Sequence, residues 1–473
     1  MKKNLFINGE WVHAESYSPL LSPYSGEVIA EVPAATLTEV EMALTAAYEA
    51  RKTMADMPSY KRARILEKLA ALLEQRSDEA AEIIALEAAK PLSTAKGEVD
   101  RTIQTYKFSA EEAKRIHGET IPVDAAPGGE GRVAYTVREP IGVIAAITPF
   151  NFPMNLVAHK VGPALASGNS VVLKPAAQTP LSSLFLAELL QEAGLPAGAF
   201  NVVTGSGRLI GEKLVTDERI QKISFTGSPS VGIGIRNKAG LKKVTLELGS
   251  NAAVIIDKGV DIDKIISRCV SGAFAFQGQV CISVQRVYVH EELYETFVEK
   301  FVAATQKLKL GDPLDPMTDV SALISPRDIE RSLEWIEEAK QKGAIVATGG
   351  KSEGNILHPT VLLEVDPSQK VSCQEVFAPI VLINKFSTVD QAIELVNDSR
   401  YGLQAGIYTE NIRTALMASQ KLHVGGVIVN DIPTFRLDHM PYGGVKESGI
   451  GREGVKYAIE EMTEQKLVIF NQN

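Results

Sequence analysis

The stretch GVIAAITPF, residues 142–150, begins a region of this 473-residue chain in which short apolar runs alternate with helical sequences. It is a short apolar run that ends in Thr148-Pro149, as a buried strand would. Helical sequences such as LSSLFLAELLQEAG at 181–194 separate it from similar runs. Alternating strands and helices predict right-handed crossovers and a parallel, doubly wound α/β sheet. The similar runs are SVVLKPAA at 170–177, FNVVTG at 200–205 and KISFTG at 222–227.

The same alternation of apolar runs and helical sequences resumes after residue 250 and predicts a second doubly wound α/β domain. The boundary between the two domains is predicted near Glu247–Gly249. VAYTVREP at 133–140 and KLVIFNQN at 466–473 are predicted to be extended pieces outside both sheets. The strands of the second domain are predicted at NAAVIID 251–257, RVYVH 286–290, AIVATGG 344–350 and IVLINKF 380–386.

The region before residue 140 reads as a hairpin followed by helices. Asn8-Gly9 in LFINGEWV is a typical two-residue hairpin turn. Thr38 and Glu41 fit a capping box and predict a helix start at Thr38. Two more amphipathic helices are predicted, at 60–77 with Ile65, Leu69, Leu72 and Leu73 on one face, and at 78–89 before Pro91.

Composition limits the class of partner. The net charge of −9 is spread without acidic or basic blocks, which argues against nucleic acid or an anionic membrane and favours a small-molecule substrate. The three cysteines include no CxxC pair, so we expect a cytoplasmic protein without a metal site. No apolar run reaches the about 18 residues of a membrane-spanning helix, and none near the start has signal-peptide length.

Three glycine-containing stretches resemble phosphate-binding loops to different degrees. GSGRLIG at 205–211 misses the dinucleotide pattern by one residue, and ATGGKS at 347–352 has Ile345 where a P-loop needs its first glycine. In FTGSPSVG, by contrast, a strand leads into Gly227-Ser228, and a helix predicted to start near Val231 points its free amides at that turn. The alternative for this last stretch is an ordinary strand–helix turn.

Two residues stand out as candidate reactive groups. Cys281 follows Gly278-Gln279-Val280, and we expect Gly278 to keep the approach to the thiol open. Glu247 is a carboxylate inside an apolar strand, with Gly249 leaving room beside it; a satisfied salt bridge is the alternative. Cys269 follows a helical apolar pattern and Cys373 precedes a strand, so we expect structural roles for these two cysteines.

Two polar residues follow parallel strands, at the edge where ligands of such sheets bind. Asn151 lies between Pro149 and Pro153, so its amide would be rigidly presented, and Lys174 closes the strand VVLK.

Together these motifs resemble the aldehyde dehydrogenase superfamily over essentially the whole chain. The resemblance implies two Rossmann-like domains, Cys281 as nucleophile, Glu247 as general base and Asn151 as oxyanion donor. It also implies NAD or NADP held by Lys174, Gly227, Ser228, Glu375, Thr148, Pro149 and Gly249, with Phe377 near the nicotinamide. The motifs, in the family order, are TPFNFP, VVLKP, FTGS, LELG, FxxxGQxC, EVFAP and MPYGGVKESG.

The residue types agree with the chemistry that the resemblance implies. An aldehyde releases hydride only after a nucleophile has made its carbon tetrahedral, and a cysteine with a pKa of ~8.5 is intrinsically a strong nucleophile. The Asn151 side chain and the Cys281 backbone N–H would stabilise the oxyanion, and Glu247 would activate the water that hydrolyses the thioester.

Departures from the family pattern concern cofactor and substrate. Ala177 stands where relatives that prefer NAD often carry a glutamate, so NADP should be tolerated. Arg101, His159 and Arg436 are candidate tunnel residues that would favour an aldehyde with a carboxylate, phosphate or phosphonate tail if they converge. His159 is predicted on a helix that lines the tunnel. The alternative is three surface charges in ordinary ion pairs.

The resemblance also implies a domain plan. Residues 1–117 and 139–247 would form the cofactor domain, 248–457 the catalytic domain, and 118–138 with 458–473 an oligomerisation arm. Exposed strand edges in the arm need pairing, so a homodimer or homotetramer is expected. The sequence leaves two alternatives open: a coenzyme-A-acylating relative, against which Glu247 argues, and a catalytically silent protein that retains the fold.

Overall fold

The structure, a computed structural model, describes residues 1–472. The strands in chain order are β1 Leu5–Ile7, β2 Glu10–Val12, β3 Ser16–Leu21, β4 Val28–Ala34, β5 Thr120–Ile121, β6 Arg132–Pro140, β7 Val143–Ile147, β8 Ser170–Lys174, β9 Phe200–Val202, β10 Ile220–Thr226, β11 Lys243–Glu247, β12 Ala253–Ile256, β13 Arg286–His290, β14 Ile345–Thr348, β15 Ser352–Glu353, β16 Ile356–Leu357, β17 Thr360–Leu363, β18 Ile380–Phe386, β19 Tyr401–Gly402, β20 Gln404–Tyr408, β21 Gly426–Val429, β22 Val445–Lys446, β23 Gly449–Ile450 and β24 Thr463–Asn471.

Helices fill the connections between the strands. The α-helices are α1 Leu37–Asp56, α2 Ser59–Gln75, α3 Ser77–Ala88, α4 Leu92–Ala113, α5 Asn155–Ala166, α6 Leu181–Ala193, α7 Gly207–Thr216, α8 Pro229–Lys238, α9 Ile262–Phe274, α10 Tyr294–Thr305, α11 Pro326–Gln341, α12 Lys370–Cys373, α13 Val389–Asn397, α14 Ile412–Lys421 and α15 Val455–Glu461. Short 3₁₀ turns lie at Val123–Ala125 and Ala275–Gly278.

The first large sheet has the strand order β2-β1-β9-β8-β7-β10-β11-β23. Strands β9, β8, β7, β10 and β11 are parallel, whereas β1, β2 and β23 join in the antiparallel sense. All residues of β7 and β8 are buried, because helices cover both faces of the parallel strands. The chain winds to one side of β7 through β8 and β9 and to the other through β10, which makes the β7–β10 crevice a topological switch point.

The second large sheet has the order β14-β17-β18-β13-β12-β20-β21, and all its pairs are parallel except β14 with β17. Its two faces are covered by separate apolar clusters. Two doubly wound parallel sheets confirm the predicted fold class. After β22 the chain returns to the first sheet, where β23 pairs with β11 and α15 packs on α5. The predicted domain plan assigns this returning segment mainly to the catalytic domain.

A separate three-stranded sheet has the order β24-β6-β5. Strands β24 and β6 pair antiparallel from Thr463 opposite Pro140 to Asn471 opposite Arg132. Both extended pieces predicted from the sequence therefore lie in this sheet, which we call the arm; Asn473 lies outside the described residues.

Three local predictions need correction. The capping box is formed by Thr36 and Glu39 and not by Thr38 and Glu41, so the first helix begins earlier than predicted. Helix α8 begins at Pro229, because proline is favoured in the first turn of a helix. On α2 the buried face includes Leu66, whereas Ile65 is only partly buried.

Candidate active site

A small cavity of about 220 Å³ brings together residues that are distant in sequence. The three candidate reactive groups Cys281, Asn151 and Glu247 line it, and so do Arg101 and Arg436. The sequence predicts that the first three meet at one centre, and the structure places them around one space.

The loop before Cys281 has an unusual backbone that turns the cysteine toward the cavity. Phe276 and Gln277 have φ angles of 48° and 55°, and Gly278 has a φ of 67°. A Cβ at Gly278 would lie 2.3 Å from the Ala378 carbonyl oxygen. The glycine is therefore needed for backbone packing and left-handed geometry, which corrects the prediction that it keeps the approach to the thiol open.

Cys281 is partly exposed as a residue although its thiol faces the enclosed cavity, whereas Cys269 is buried in the core of the second domain; neither cysteine forms a disulfide. Burial raises the pKa of the Cys281 thiol, and the nearby carboxyls of Glu375 and Glu247 raise it further. The protonated thiol is therefore favoured until a base removes its proton.

Asn151 follows β7 and holds its amide against the cysteine loop. Its Nδ2 donates to the carbonyl oxygen of Gln279 at 3.0 Å, two residues before Cys281. Within residues 1–472 its Oδ1 has no hydrogen-bond partner. The amide donor thus lies beside the backbone that carries Cys281, as an oxyanion pocket requires.

Glu247 ends β11 and is buried with neither carboxyl oxygen hydrogen-bonded to another described residue. A Cβ at Gly443 would come within 2.9 Å of Glu247 Oε1, so this glycine makes room for the carboxyl. Burial raises the pKa of Glu247 well above its ordinary value, and the charge of Glu453 adds to the rise. An unpaired carboxyl of this kind does not fit the alternative of a satisfied salt bridge.

Glu453 is a second buried carboxylate that the sequence reasoning missed. Lys160 donates to its Oε1 at 2.6 Å and Arg436 to its Oε2 at 3.0 Å. Burial opposes its ionisation, but Lys160, His159 and Arg436 lower the pKa of Glu453 to about 2. The site thus contains one carboxyl with a raised pKa beside one that stays ionised.

A larger cleft of about 730 Å³ lies at the β7–β10 switch point. Thr148 and Pro149 line it after β7, Lys174 at the end of β8, and Gly227 and Ser228 after β10. The Ser228 side chain does not cap helix α8, so the first amides of that helix stay available to an anion. A Cβ at Gly227 would lie 2.6 Å from the Phe225 ring, so any larger residue in this turn would have to displace that ring.

The charged groups of this cleft fit a dinucleotide phosphate. Lys174 is buried and donates only to the Pro175 carbonyl oxygen among the described residues, and burial lowers its pKa to about 8. Arg208 has no ion-pair partner within residues 1–472 and lines the same cleft. Gly207 and Gly211 also line it, so the stretch GSGRLIG borders the candidate cofactor site although it misses the dinucleotide pattern.

Glu375, Gly249 and Phe377 lie outside the residues that line this cleft. The Glu375 carboxylate accepts from the Ser250 N–H at 2.9 Å, and a Cβ at Gly249 would lie 2.5 Å from its Oε2. Burial raises the pKa of Glu375 to about 7. Phe377 packs edge-on against Phe150, which does line the cleft, with ring centroids 5.8 Å apart.

Two of the three candidate substrate residues, Arg101 and His159, contact Asp438, and the third, Arg436, contacts His159. Arg101 Nη2 donates to Asp438 Oδ1 at 2.7 Å, and His159 Nε2 lies 2.9 Å from the same oxygen. Arg436 Nη2 lies 3.2 Å from His159 Nε2. Burial, with the charge of Arg436, lowers the pKa of His159, and the Asp438 and Glu453 carboxylates oppose this shift.

His159 lies on α5, a helix that lines the cavity as predicted, but its own side chain is not among the lining residues. It is buried one helical turn beyond Asn155 and Leu156, and these two residues of α5 face the cavity instead. Sequence reasoning also missed Arg268, Tyr442 and Asp438. Arg268 lines the cavity and pairs with Asp431, and the Tyr442 ring lies 3.6 Å from the Arg436 guanidinium carbon.

Within residues 1–472 no group of three or more His, Cys, Asp or Glu residues is arranged to hold a metal ion. Over the same residues, no helix combines the length and the apolar character that crossing a membrane requires.

Comparison with known proteins decides the family. A family model described as the aldehyde dehydrogenase family matches residues 11–468. The chain belongs to the aldehyde dehydrogenase family. A 3-sulfolactaldehyde dehydrogenase of Priestia aryabhattai is 50% identical over 467 residues, which cover 99% of this chain and 98% of the relative.

Solved structures of other aldehyde dehydrogenases share the fold. Aldehyde dehydrogenase 21 of Physcomitrella patens, in complex with its reaction product succinate, matches with a TM-score of 0.98 and 42% identity over 100% of this chain and 98% of that one. A glyceraldehyde-3-phosphate dehydrogenase of Methanocaldococcus jannaschii, complexed with NADP, matches with a TM-score of 0.93 and 39% identity over 97% and 100%.

This aldehyde dehydrogenase is an NAD(P)-dependent oxidoreductase that converts an aldehyde into its carboxylic acid without phosphorylation. The family, the fold class, the reaction and the use of NAD or NADP that the sequence predicted are confirmed.

Proposed function

We propose that this aldehyde dehydrogenase oxidises a small aldehyde with an anionic tail, through a thioester on Cys281. The observation that carries the proposal is the single cavity of about 220 Å³, which holds the thiol together with Asn151, Glu247 and arginine side chains. Pockets for drug-sized ligands measure about 300–1,000 Å³, so this cavity suits a short substrate.

Acylation begins when the Cys281 sulfur attacks the carbonyl carbon and the carbonyl oxygen takes up the electron pair. Since the pKa of the thiol is raised, the sulfur is protonated before the reaction, and its proton passes to solvent water as the carbon–sulfur bond forms. The Asn151 Nδ2–H and the Cys281 backbone N–H donate to the oxyanion. One such donor contributes about 3–4 kcal/mol, or 100- to 1,000-fold in rate.

When bound, the nicotinamide supplies the acceptor for the hydride that leaves the tetrahedral carbon. As the hydride leaves, the carbonyl group re-forms, and the acyl group is then bound to Cys281 as a thioester. The cleft residues Lys174, Gly227, Ser228, Thr148 and Pro149 would hold the dinucleotide, and Glu375, Gly249 and Phe377 would be further contacts for it.

Deacylation needs a base for water, and we assign this role to Glu247. Glu453 stays ionised beside it, held by Lys160 and Arg436, and this negative charge raises the proton affinity of Glu247. Because the pKa of Glu247 is raised, its base form is lost as pH falls through that raised value, above the usual acidic range. The thioester hydrolysis rate should therefore decline as pH falls, and Glu247→Gln should abolish this dependence.

An anionic tail fits the charges around the cavity. Arg101, Arg268 and Arg436 line it, and their carboxylate partners are Asp438, Asp431 and Glu453. Lys160, a further cation, shares Glu453. Relatives named for 3-sulfolactaldehyde and a neighbour that binds succinate support an anionic substrate.

We further propose that NADP is accepted alongside NAD. Ala177 lies between Ala176 and Gln178, which both line the cleft, so no carboxylate at this position repels a 2′-phosphate. Arg208 and Lys174 are cations in the same cleft. A kcat/KM for NADP below about 1% of that for NAD would contradict this proposal.

The arm supports a homodimer or homotetramer. Val133, Tyr135, Leu467, Ile469 and Phe470 are exposed on its strands, and β24 is an edge strand. An exposed apolar edge of this kind needs a partner strand. Light scattering over a range of concentrations measures the assembly, and a monomer at every concentration would contradict it. The three unpaired cysteines agree with the cytoplasmic location that we expect.

The experiment for the proposed function is an aldehyde panel with both nicotinamide cofactors. We expect kcat/KM for 3-sulfolactaldehyde and succinic semialdehyde to exceed that for propanal at least about tenfold, since a charge-assisted contact contributes about 1.5–3 kcal/mol. Equal values would contradict the anionic tail. Formation of acyl-coenzyme A on addition of coenzyme A would contradict hydrolysis by Glu247.

A further inference from the structure

A buried ion pair, Lys90 with Glu98, lies behind the cavity and lines neither the cavity nor the cofactor cleft. Lys90 occupies the turn between α3 and α4, and Glu98 lies on α4. Both side chains are fully excluded from solvent. Removing two charges from water costs several kcal/mol for each ion, so the pair requires an explanation beyond stability.

The pair holds the segment that carries Asn151. Lys90 Nζ donates to the Asn151 carbonyl oxygen at 2.6 Å and also to Glu98 Oε2. Glu98 Oε1 accepts from the N–H groups of Met154 and Asn155, at 2.9 and 3.1 Å. The backbone that carries the Asn151 amide is therefore tied to one rigid point on α4.

The same turn also holds the loop that carries Cys281. Gln277 Nε2 donates to the Ala89 carbonyl oxygen at 2.9 Å and to the Ala322 carbonyl oxygen at 2.8 Å. Lys90 Nζ lies 3.8 Å from the Phe152 ring centre and 4.2 Å from that of Phe276. These two rings belong to the Asn151 segment and the cysteine loop, and both line the cavity.

We propose that Lys90 and Glu98 are positioning residues that set the distance between the Asn151 amide and the backbone N–H of Cys281. The inference rests on the proposed function, in which these two groups stabilise the oxyanion. An oxyanion pocket works only when its donors are held within about 0.5 Å of the productive geometry. The turn at Ala89–Lys90 contacts both donor segments and so holds them at a fixed distance from each other.

The test is the double variant Lys90→Met with Glu98→Gln, which removes both charges and leaves neither buried alone. We expect kcat for aldehyde oxidation to fall at least about tenfold with less than about threefold change in the KM for aldehyde, since a 1 Å misplacement can cost about 100-fold. Alkylation of Cys281 by iodoacetamide needs no oxyanion pocket, so its rate should stay within about twofold. In an Asn151→Ala background the same two changes should lower kcat less than about twofold, because the pair acts through Asn151.

Lys222→Met is the matched control. Lys222 is also a buried lysine, bonded to Thr245 Oγ1 at 2.6 Å and to Glu461 at 3.2 Å, and it contacts neither donor segment. We expect Lys222→Met to lower the melting temperature but not to lower kcat at constant KM, which is the effect expected of the double variant. If the double variant does not fold, Glu98→Asp, which keeps the charge that pairs with Lys90 but shortens the side chain, is compared in the same way.

Two results would overturn the positioning role: an unchanged kcat in the folded variant, or an equal loss in the presence and absence of Asn151. Either result, in an enzyme whose activity still requires Cys281, leaves the proposed function standing. Aldehyde oxidation that does not require Cys281 would instead overturn the proposed function.

Discussion

The cofactor cleft and the aldehyde cavity are built in different ways. The cleft lies at the neighbouring ends of β7, β8 and β10, and residues of α7 and α8 complete its lining. The cavity is formed by side chains from α4, α5, α9 and the loop around Arg436, joined by ion pairs. The position of the cleft is therefore determined by the fold, whereas the cavity depends on each pair of side chains.

The substitution with the largest expected effect removes the reactive thiol of the cavity and leaves the cofactor cleft unchanged. Cys281→Ser should lower kcat by at least about 10,000-fold, as removal of other covalent nucleophiles does, because the hydroxyl is a far weaker nucleophile. The Kd for NAD(P), measured by fluorescence titration, should change less than about twofold. A cofactor affinity that falls together with kcat would show that the two regions are not separate.

Asn151→Ala should lower kcat by about 100- to 1,000-fold, because it removes one oxyanion donor. The KM for aldehyde should change less than about threefold, since the donor acts on the transition state. Steady-state kinetics measure both values. A large rise in KM at constant kcat would instead indicate that the amide binds the ground state of the substrate.

The ion pairs of the cavity should act on substrate choice alone. Arg101→Ala combined with Asp438→Asn removes one pair without leaving a buried carboxylate unpaired. We expect kcat/KM for succinic semialdehyde to fall about 10- to 100-fold, with less than about threefold change for propanal. Equal losses for the two aldehydes would contradict an anion-binding role for Arg101.

The smallest expected effect belongs to the cleft. Ala177→Glu should lower kcat/KM for NADP about tenfold, because the new carboxylate repels a 2′-phosphate, and should leave kcat/KM for NAD within about threefold. Ala177→Gln is the matched control without charge. If the two variants lose NADP activity equally, size and not charge governs cofactor choice.

The difference between the two regions also explains what the sequence can predict. Lys174, Gly227 and Ser228 are predictable because each follows a recognisable strand, and neighbouring parallel strands end at the same edge. Asp438 cannot be found in this way, because Arg101 lies 337 residues before it and His159 lies 279 residues before it. Only the folded chain shows that these three side chains meet.

Local predictions fail where two arrangements fit the same pattern. Thr36 with Glu39 and Thr38 with Glu41 both match a capping box, and only the structure shows that the first pair caps α1. The sequence around Gly278 favours ligand access as the reason for the glycine, because the Ala378 carbonyl, which determines its identity, is distant in the chain.

The central claim is a covalent acyl group on Cys281 that Glu247 helps to remove. The most direct measurement is the intact mass of the Glu247→Gln enzyme, quenched in acid after mixing with NAD(P) and succinic semialdehyde. The account predicts one added acyl group per chain, located on the peptide that contains Cys281, and one equivalent of reduced nicotinamide formed in a burst. Sustained turnover with no acyl group on Cys281 would contradict it.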